Sequence, residues 1–320
     1  MDIWKIIAGV FGLLILLEVV AGIGVFIAIC VPVRKPAPQK PEHLRRQELR
    51  DKNNAMFTAY GPEDVSIQSF DSLELRAWLL PAKVPEGEAP PKRFALLSHG
   101  HHCNGPDEFS HITPFYHETL GYNILLPDHC GHGRSGGKWI GFGALDWRNL
   151  NLWIKYLTER FGEDIEIILH GISMGAATVM LLNENNPPPQ VKLVIEDCGF
   201  SSEKAEMRGA GRMIFGALEP LFLPAYPIAG MLQSLFAGYS LKDSDPLGGM
   251  ANAKCPTLFV HGGKDTFVPT RFVRELYDAC PAPKKLLIVP EAIHAFSYYI
   301  DGESYRRAVT DFITEQLGHV

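Results

Sequence analysis

Gly171-Ile172-Ser173-Met174-Gly175 sets a serine between two glycines, directly after the apolar run Ile165 to His170 and directly before Ala176 to Leu182. The first run reads as a buried strand and the second as a helix. A serine on a sharp strand-to-helix turn carries its hydroxyl above the sheet edge, at a helix N-terminus whose unpaired N–H groups favour negative charge. The glycines fit a turn too tight for Cβ atoms. The chemistry this predicts is nucleophilic attack by Ser173 on an acyl carbon. The bland alternative is a glycine-rich βα turn with Ser173 serving as a helix cap.

A serine hydroxyl needs a base to take its proton and an acid to orient that base. Behind a turn of this kind the chain order is Ser, then Asp or Glu, then His. Pro256 to Gly262 is a second buried-strand pattern and runs into Gly263-Lys264-Asp265. Lys285 to Pro290 is a further apolar run, followed by a loop with His294. Both residues fall just past strand C-terminal ends, where open α/β sheets bind ligands. The expected triad is Ser173, Asp265 and His294. Asp197, at the end of the run Val191 to Glu196, is a rival acid.

Acyl transfer also needs two N–H groups aimed at the oxygen that becomes negative. One is expected from Met174, the residue after the nucleophile. The other is expected from His101, in the loop His99 to Gly105 that follows the strand Phe94 to Ser98. Three histidines and Cys103 in this loop suggest a metal, but no second ligand cluster at zinc spacing exists in the sequence. No metal and no cofactor are expected, and the imidazoles read as shaping the pocket.

Strand-like and helical runs alternate from about residue 94 to the C-terminus, with helices expected near 108–120, 144–160, 174–184, 270–280 and 302–317. That alternation predicts an α/β fold, a mostly parallel sheet covered by helices on both faces. Two earlier runs, Val65 to Ser69 and Leu73 to Leu80, alternate polar with apolar and suit an antiparallel start at the edge. The roughly 260 residues from 57 to 320 suffice for one filled domain. The alternation breaks between Asp197 and Pro256, where a stretch rich in Met, Phe, Leu, Pro and Gly is expected to form a helical cap, about 201–252, over the site. An ordinary helical excursion packed on the core is its alternative.

The region from about residue 57 to the end resembles the α/β-hydrolases. It is most similar to the bacterial membrane-anchored members of the serine-aminopeptidase/esterase-like family. The residues that carry the likeness are Ser98-His99-Gly100, Leu126 to Ser135, His170 to Gly175, His261 to Pro269, and Ala292 to Ala295. Cys130 and Ala176 depart from common choices in that family and touch no catalytic role. The resemblance implies a serine hydrolase but no particular substrate. An acyltransferase or an aminopeptidase-like enzyme would use the same triad, and a silent membrane-anchored scaffold would keep it unused.

From Ile6 to Val33 the chain is apolar but for Glu18. About 20 residues span a bilayer, so residues 1–33 are expected to form a transmembrane anchor. Glu18 costs roughly 3 kcal/mol on insertion scales, which more than a dozen Ile, Leu, Val and Phe residues outweigh. Only Lys5 precedes the span, whereas Arg34, Lys35, Lys40, Arg45, Arg46 and Arg50 follow it, which predicts a cytoplasmic catalytic domain. Residues 34–56 read as a proline-rich spacer followed by a short basic helix, His43 to Asn54, suited to anionic lipid or simply solvated. A formal net charge of −6 argues against nucleic-acid binding. Beyond the span, Cys103, Cys130, Cys198, Cys255 and Cys280, an odd set without paired spacing, read as free thiols. The expected partners are an acyl substrate, small or lipid-like, and a membrane. The expected function is cleavage of an ester, thioester or amide through an acyl-enzyme.

Overall fold

The computed structural model describes residues 3–32, 41–84, 87 and 89–319. Most of the expected proline-rich spacer, including Pro36 and Pro38, lies outside them. The chain opens with two helices, α1 (Ile3–Cys30) and α2 (Pro41–Ala59), and continues into β1 (Glu63–Gln68), β2 (Glu74–Leu80) and β3 (Arg93–Ser98). Then come α3 (Gly105–Phe109), β4 (Asn123–Pro127), α4 (Asp146–Phe161), β5 (Glu166–Ile172), α5 (Met174–Glu184) and β6 (Val191–Asp197). The excursion that follows holds α6 (Glu203–Phe215), α7 (Ala225–Phe236) and α8 (Pro246–Gly249). The chain closes with β7 (Thr257–Gly262), α9 (Arg271–Ala279), β8 (Lys284–Val289), α10 (Ser297–Ile300) and α11 (Gly302–Leu317).

The eight strands form one sheet in the order β1-β2-β4-β3-β5-β6-β7-β8. β2 pairs antiparallel with both β1 and β4, and every pairing from β4 to β8 is parallel. The expected antiparallel start is therefore at the edge. Connections run outward in opposite senses from β3 and β5, which makes the gap above them the topological switch point where such sheets bind ligands. Apolar layers lie on both faces. One, around Leu97, Ile124, Ile195 and Val260, packs on Tyr305, Val309 and Phe312 of α11. The other, around Leu96, Leu125 and Ile167, packs on Trp153 and Leu157 of α4.

The helix expected near 108–120 is broken. α3 ends at Phe109, and Phe115–Thr119 forms a short π-helical turn. Pro114 precludes a continuous backbone ladder across the break. α3 instead begins on a capped turn, with Asn104 Oδ1 accepting from Asp107 N at 3.0 Å and Pro106 in the first turn.

α1 is 28 residues long and apolar enough to cross a membrane. Residues 3–17 are exposed throughout, whereas Gly22, Phe26 and Cys30 are buried with Val25 and Ile29 beside them. That spacing of three and four is one helical stripe, and it faces α7. Gly22 is the closest approach, where an added Cβ would meet Ile228 Cγ2 at 2.7 Å.

Candidate active site

β5 ends in the turn predicted to hold the nucleophile, and the turn is as tight as its glycines imply. Ser173 has φ 57° and ψ −117°, a conformation costly for a residue with a side chain and recurrent where strain serves function. Its N–H donates to Asp197 O at 2.8 Å, and its carbonyl accepts from Ala177 N at 3.1 Å. A Cβ on Gly171 would run into the backbone of Gly175, and one on Gly175 into the carbonyl of Ser98. The elbow thus rests on β3, backbone against backbone.

β7 and β8 supply the other two residues. His294 Nε2 lies 2.9 Å from Ser173 Oγ, and His294 Nδ1 lies 2.8 Å from Asp265 Oδ2. Asp265 Oδ1 accepts the backbone N–H groups of Phe267 and Val268, both at 2.9 Å. Burial of Asp265 favours the neutral acid, but hydrogen bonds from His261 and His294 outweigh it and bring its pKa down to about 2. A carboxylate so held keeps Nδ1 protonated and leaves Nε2 to face the serine.

Asp197, the rival acid, is elsewhere engaged. Its Oδ2 accepts from Tyr305 OH at 3.0 Å, and the same hydroxyl lies 2.9 Å from His170 Nε2. Burial raises its pKa to about 6. It belongs to a buried Tyr305–His170–Tyr116 network beneath the elbow.

The loop after β3 crosses in front of the elbow. Gly100 sits so close that an added Cβ would lie 3.4 Å from Ser173 Cβ. Glu108 Oε2 accepts Gly100 N at 3.2 Å, and His132 Nε2 accepts His102 N at 3.1 Å. His101 lies between these two amides and lines the space in front of Ser173. Met174 opens α5 at the same space. His99, His129 and His132 form a cluster of tilted and edge-on imidazoles behind the loop, with ring centroids 4.5 and 5.0 Å from His99. Burial lowers the pKa of all three, that of His129 to about 3, so the cluster is neutral.

Two cavities meet at Ser173. One, about 410 Å³, is bounded by Arg50 of α2, by Asp107 and Glu108 of α3, and by His294. The other, about 220 Å³, is mostly apolar, with Ala28 and Ile29 of α1, Phe142, Phe200, Met207 and Val268 in its wall. Its one carboxyl is Glu206 of α6. Both Glu206 oxygens lack hydrogen-bond partners, and burial raises its pKa to about 8. Sequence alone did not place Glu206, Arg50 or the end of α1 at the site, because an isolated acid in α6 and the last turn of α1 carry no local signature of it.

Among the described residues, Cys198, Asp265 and His294 bring metal-type donor atoms within 4.8 Å of one another. Both His294 nitrogens are already engaged, and burial holds the Cys198 thiol well above its ordinary pKa. All six cysteines are unpaired.

Comparison with known proteins agrees with this architecture. Residues 89–235 match the model of the family described as serine aminopeptidase, S33. The chain superposes on the esterase Pf2001 of Pyrococcus furiosus with a TM-score of 0.66 at 20% identity, over 91% of this chain and 99% of that one. The chain has the α/β-hydrolase fold. Relatives of this chain include the uncharacterized protein YqkD of Bacillus subtilis, 28% identical over 77% of this chain and 81% of that protein. The uncharacterized membrane protein YNL320W of Saccharomyces cerevisiae is 25% identical over 64% of this chain and 65% of that protein.

Proposed function

We propose that this protein is a membrane-anchored serine esterase. In this reading His294, oriented by Asp265, takes the proton of Ser173 as Oγ attacks the ester carbonyl. The N–H groups of His101 and Met174 hold the oxyanion, and His294 then protonates the leaving alcohol. Water gives one proton to the same imidazole as it attacks the acyl-enzyme, and that proton passes to Ser173 Oγ as the acyl–oxygen bond breaks and the acid departs. The observation that carries the reading is the continuous line from Ser173 Oγ through His294 to Asp265, with gaps of 2.9 and 2.8 Å, beneath two cavities of unlike polarity.

The smaller, apolar cavity suits the acyl chain, and the larger, more polar one the leaving alcohol. An aminopeptidase-like enzyme would need a charged partner for the substrate's ammonium group. Glu206 is the carboxyl on the apolar side, and burial keeps it protonated near neutral pH, which favours an uncharged acyl group. An acyltransferase would differ only in replacing water by another acceptor. The anchor reading is supported by the length and composition of α1. Cleavage as a signal sequence would strip the cavity of Ala28 and Ile29, which opposes that alternative.

A fluorophosphonate probe tests the proposal on the full chain. Covalent labelling of wild type that vanishes in Ser173→Ala, together with turnover of p-nitrophenyl butyrate, is the expected result. A well-folded wild type that neither labels nor hydrolyses the ester overturns it.

A further inference from the structure

α1 is longer than a bilayer needs. Its 28 residues extend about 42 Å at 1.5 Å per residue, against about 30 Å of hydrocarbon. The excess of about 12 Å is some eight residues, and the segment of α1 packed on the catalytic domain begins at Gly22 and ends at Cys30. The hydrocarbon boundary therefore falls near Gly22, where α7 crosses α1.

What α7 presents at that boundary is apolar. Met231 and Leu235 on α7 are 62% and 71% exposed, and Leu221, in the 3-10 turn leading into α7, is 67% exposed. From Gly216 to Ala237 the sequence holds a single Asp, Glu, Lys or Arg, which is Glu219. Glu219 is buried and faces inward, 3.3 Å from Arg208 and 3.8 Å from Arg212. At the joint with α1 the Phe26 ring packs on Trp139 and Phe236, with centroids 5.3 and 6.0 Å away. Of these, the Trp139 indole is the kind of ring that settles at membrane interfaces. An exposed apolar face continuous with a lipid-exposed helix has lipid as its natural cover.

The same helix reaches the reaction centre. Ala28 and Ile29, about 10 Å beyond Gly22 along α1, wall the apolar cavity at Ser173. Ile29 O accepts from His101 Nε2 at 2.9 Å, and Ala28 O accepts from His102 Nε2 at 3.4 Å. α1 therefore leads from the bilayer edge to the loop that faces the nucleophile.

We propose that Gly216–Ala237 and α1 form one lipid-contacting surface, and that the enzyme draws a long-chain acyl ester from the leaflet in which α1 ends, guided along α1 into the Ala28–Ile29 cavity. The proposal rests on the esterase and anchor readings and adds the source and class of substrate.

The test uses the full chain in phosphatidylcholine vesicles, with two substrates. Water-soluble p-nitrophenyl acetate reports the catalytic machinery, and a fluorogenic long-chain acyl glycerol embedded in the vesicle reports capture from the bilayer. Leu221→Glu combined with Leu235→Glu should cut vesicle-substrate turnover at least tenfold and leave acetate turnover within twofold. Ala28→Trp should shift the chain-length preference of soluble p-nitrophenyl esters toward acetate. A photoactivatable phosphatidylcholine should label peptides from 216–237 as well as α1. Equal loss on both substrates, an unchanged ratio, or lipid label confined to α1 overturns the proposal. Absence of probe labelling and of acetate turnover in wild type would instead sink the esterase reading, while label on 216–237 still reports the surface.

Discussion

Replacing Asp265 with asparagine preserves shape, so the surrounding hydrogen bonds dictate how the amide must sit. Oδ1 receives two backbone N–H groups, from Phe267 and Val268. That position demands an acceptor, so the asparagine carbonyl oxygen occupies it. The NH2 group is thereby forced into the Oδ2 position, 2.8 Å from His294 Nδ1. A donor there requires Nδ1 to accept, and the ring proton moves to Nε2. Nε2 faces Ser173 Oγ at 2.9 Å and can no longer take its proton. His261 adds to the conflict, since its Nε2 already donates to Val268 O at 2.9 Å and lies 3.3 Å from Oδ2. A wrong tautomer of this kind costs about 10⁴-fold in kcat in a Ser-His-Asp enzyme. That corresponds to ~5 kcal/mol of activation free energy. Here kcat/KM on p-nitrophenyl butyrate, and the second-order rate of fluorophosphonate labelling, should both fall about 10³- to 10⁴-fold. KM should hardly move, because neither cavity wall changes. Asp197→Asn should stay within a few-fold of wild type, its carboxylate serving Tyr305 instead. An Asp265→Asn enzyme within tenfold of wild type, or an Asp197→Asn enzyme equally damaged, would refute the reasoning.

Gly175→Ala should destabilise the domain by more than about 3 kcal/mol, because the new Cβ meets immobile backbone at Ser98, whereas Gly24→Ala meets nothing within 4 Å. Thermal melting of the two variants side by side checks the contrast. Stability should also depend on pH with a defined sign. Burial raises Glu196, Glu203 and Glu206 from 4.5 to about 8, so the folded state keeps protons that the unfolded chain releases, and stability is lost as pH rises through 8. Buried His99, His129 and His132 act oppositely below 6.5, so stability from them is gained as pH rises toward that value. The melting temperature should be highest at about pH 4.5 to 6.5 and decline from there to about pH 8. Glu206→Gln should flatten that decline, and an unaltered alkaline limb would show that Glu206 does not carry it.

Much of the site was legible because each part sits where a strand ends. Ser173, Asp265 and His294 could be named from the strand patterns ahead of them, since parallel strands all deliver their C-terminal ends to one edge. The Gly263-Lys264-Asp265 turn favoured Asp265 over Asp197, but the geometry that separates them was not legible. Both end buried strands, and their roles differ through Tyr305, which comes 108 residues after Asp197 and reaches it only in three dimensions. The break near Pro114 could have been read from the proline. The end of α1 was hidden for another reason: a span is recognised by uniform apolarity, which conceals which of its turns touch the protein.

The neutral imidazoles link these two levels of the molecule. A charged histidine beside Ser173 would compete with His294 for the serine oxygen and attract water into an otherwise apolar space. Burial instead holds His99, His129 and His132 neutral, so each can donate through one nitrogen and accept through the other. His132 Nδ1 donates to Cys130 O at 3.0 Å while its Nε2 accepts His102 N. His99 Nδ1 donates to Gly100 O at 2.8 Å while its Nε2 accepts His129 N at 3.0 Å. Protonation of either ring would place a donor against a backbone N–H and push the loop away from the elbow. The ring of His101, on the outer side of the same loop, reaches the last carbonyls of α1. The loop facing the nucleophile is therefore fixed from behind by rings that cannot take a proton and from the front by the end of the apolar helix. The rear support is not replaceable by a lysine or an arginine, which donate but cannot accept.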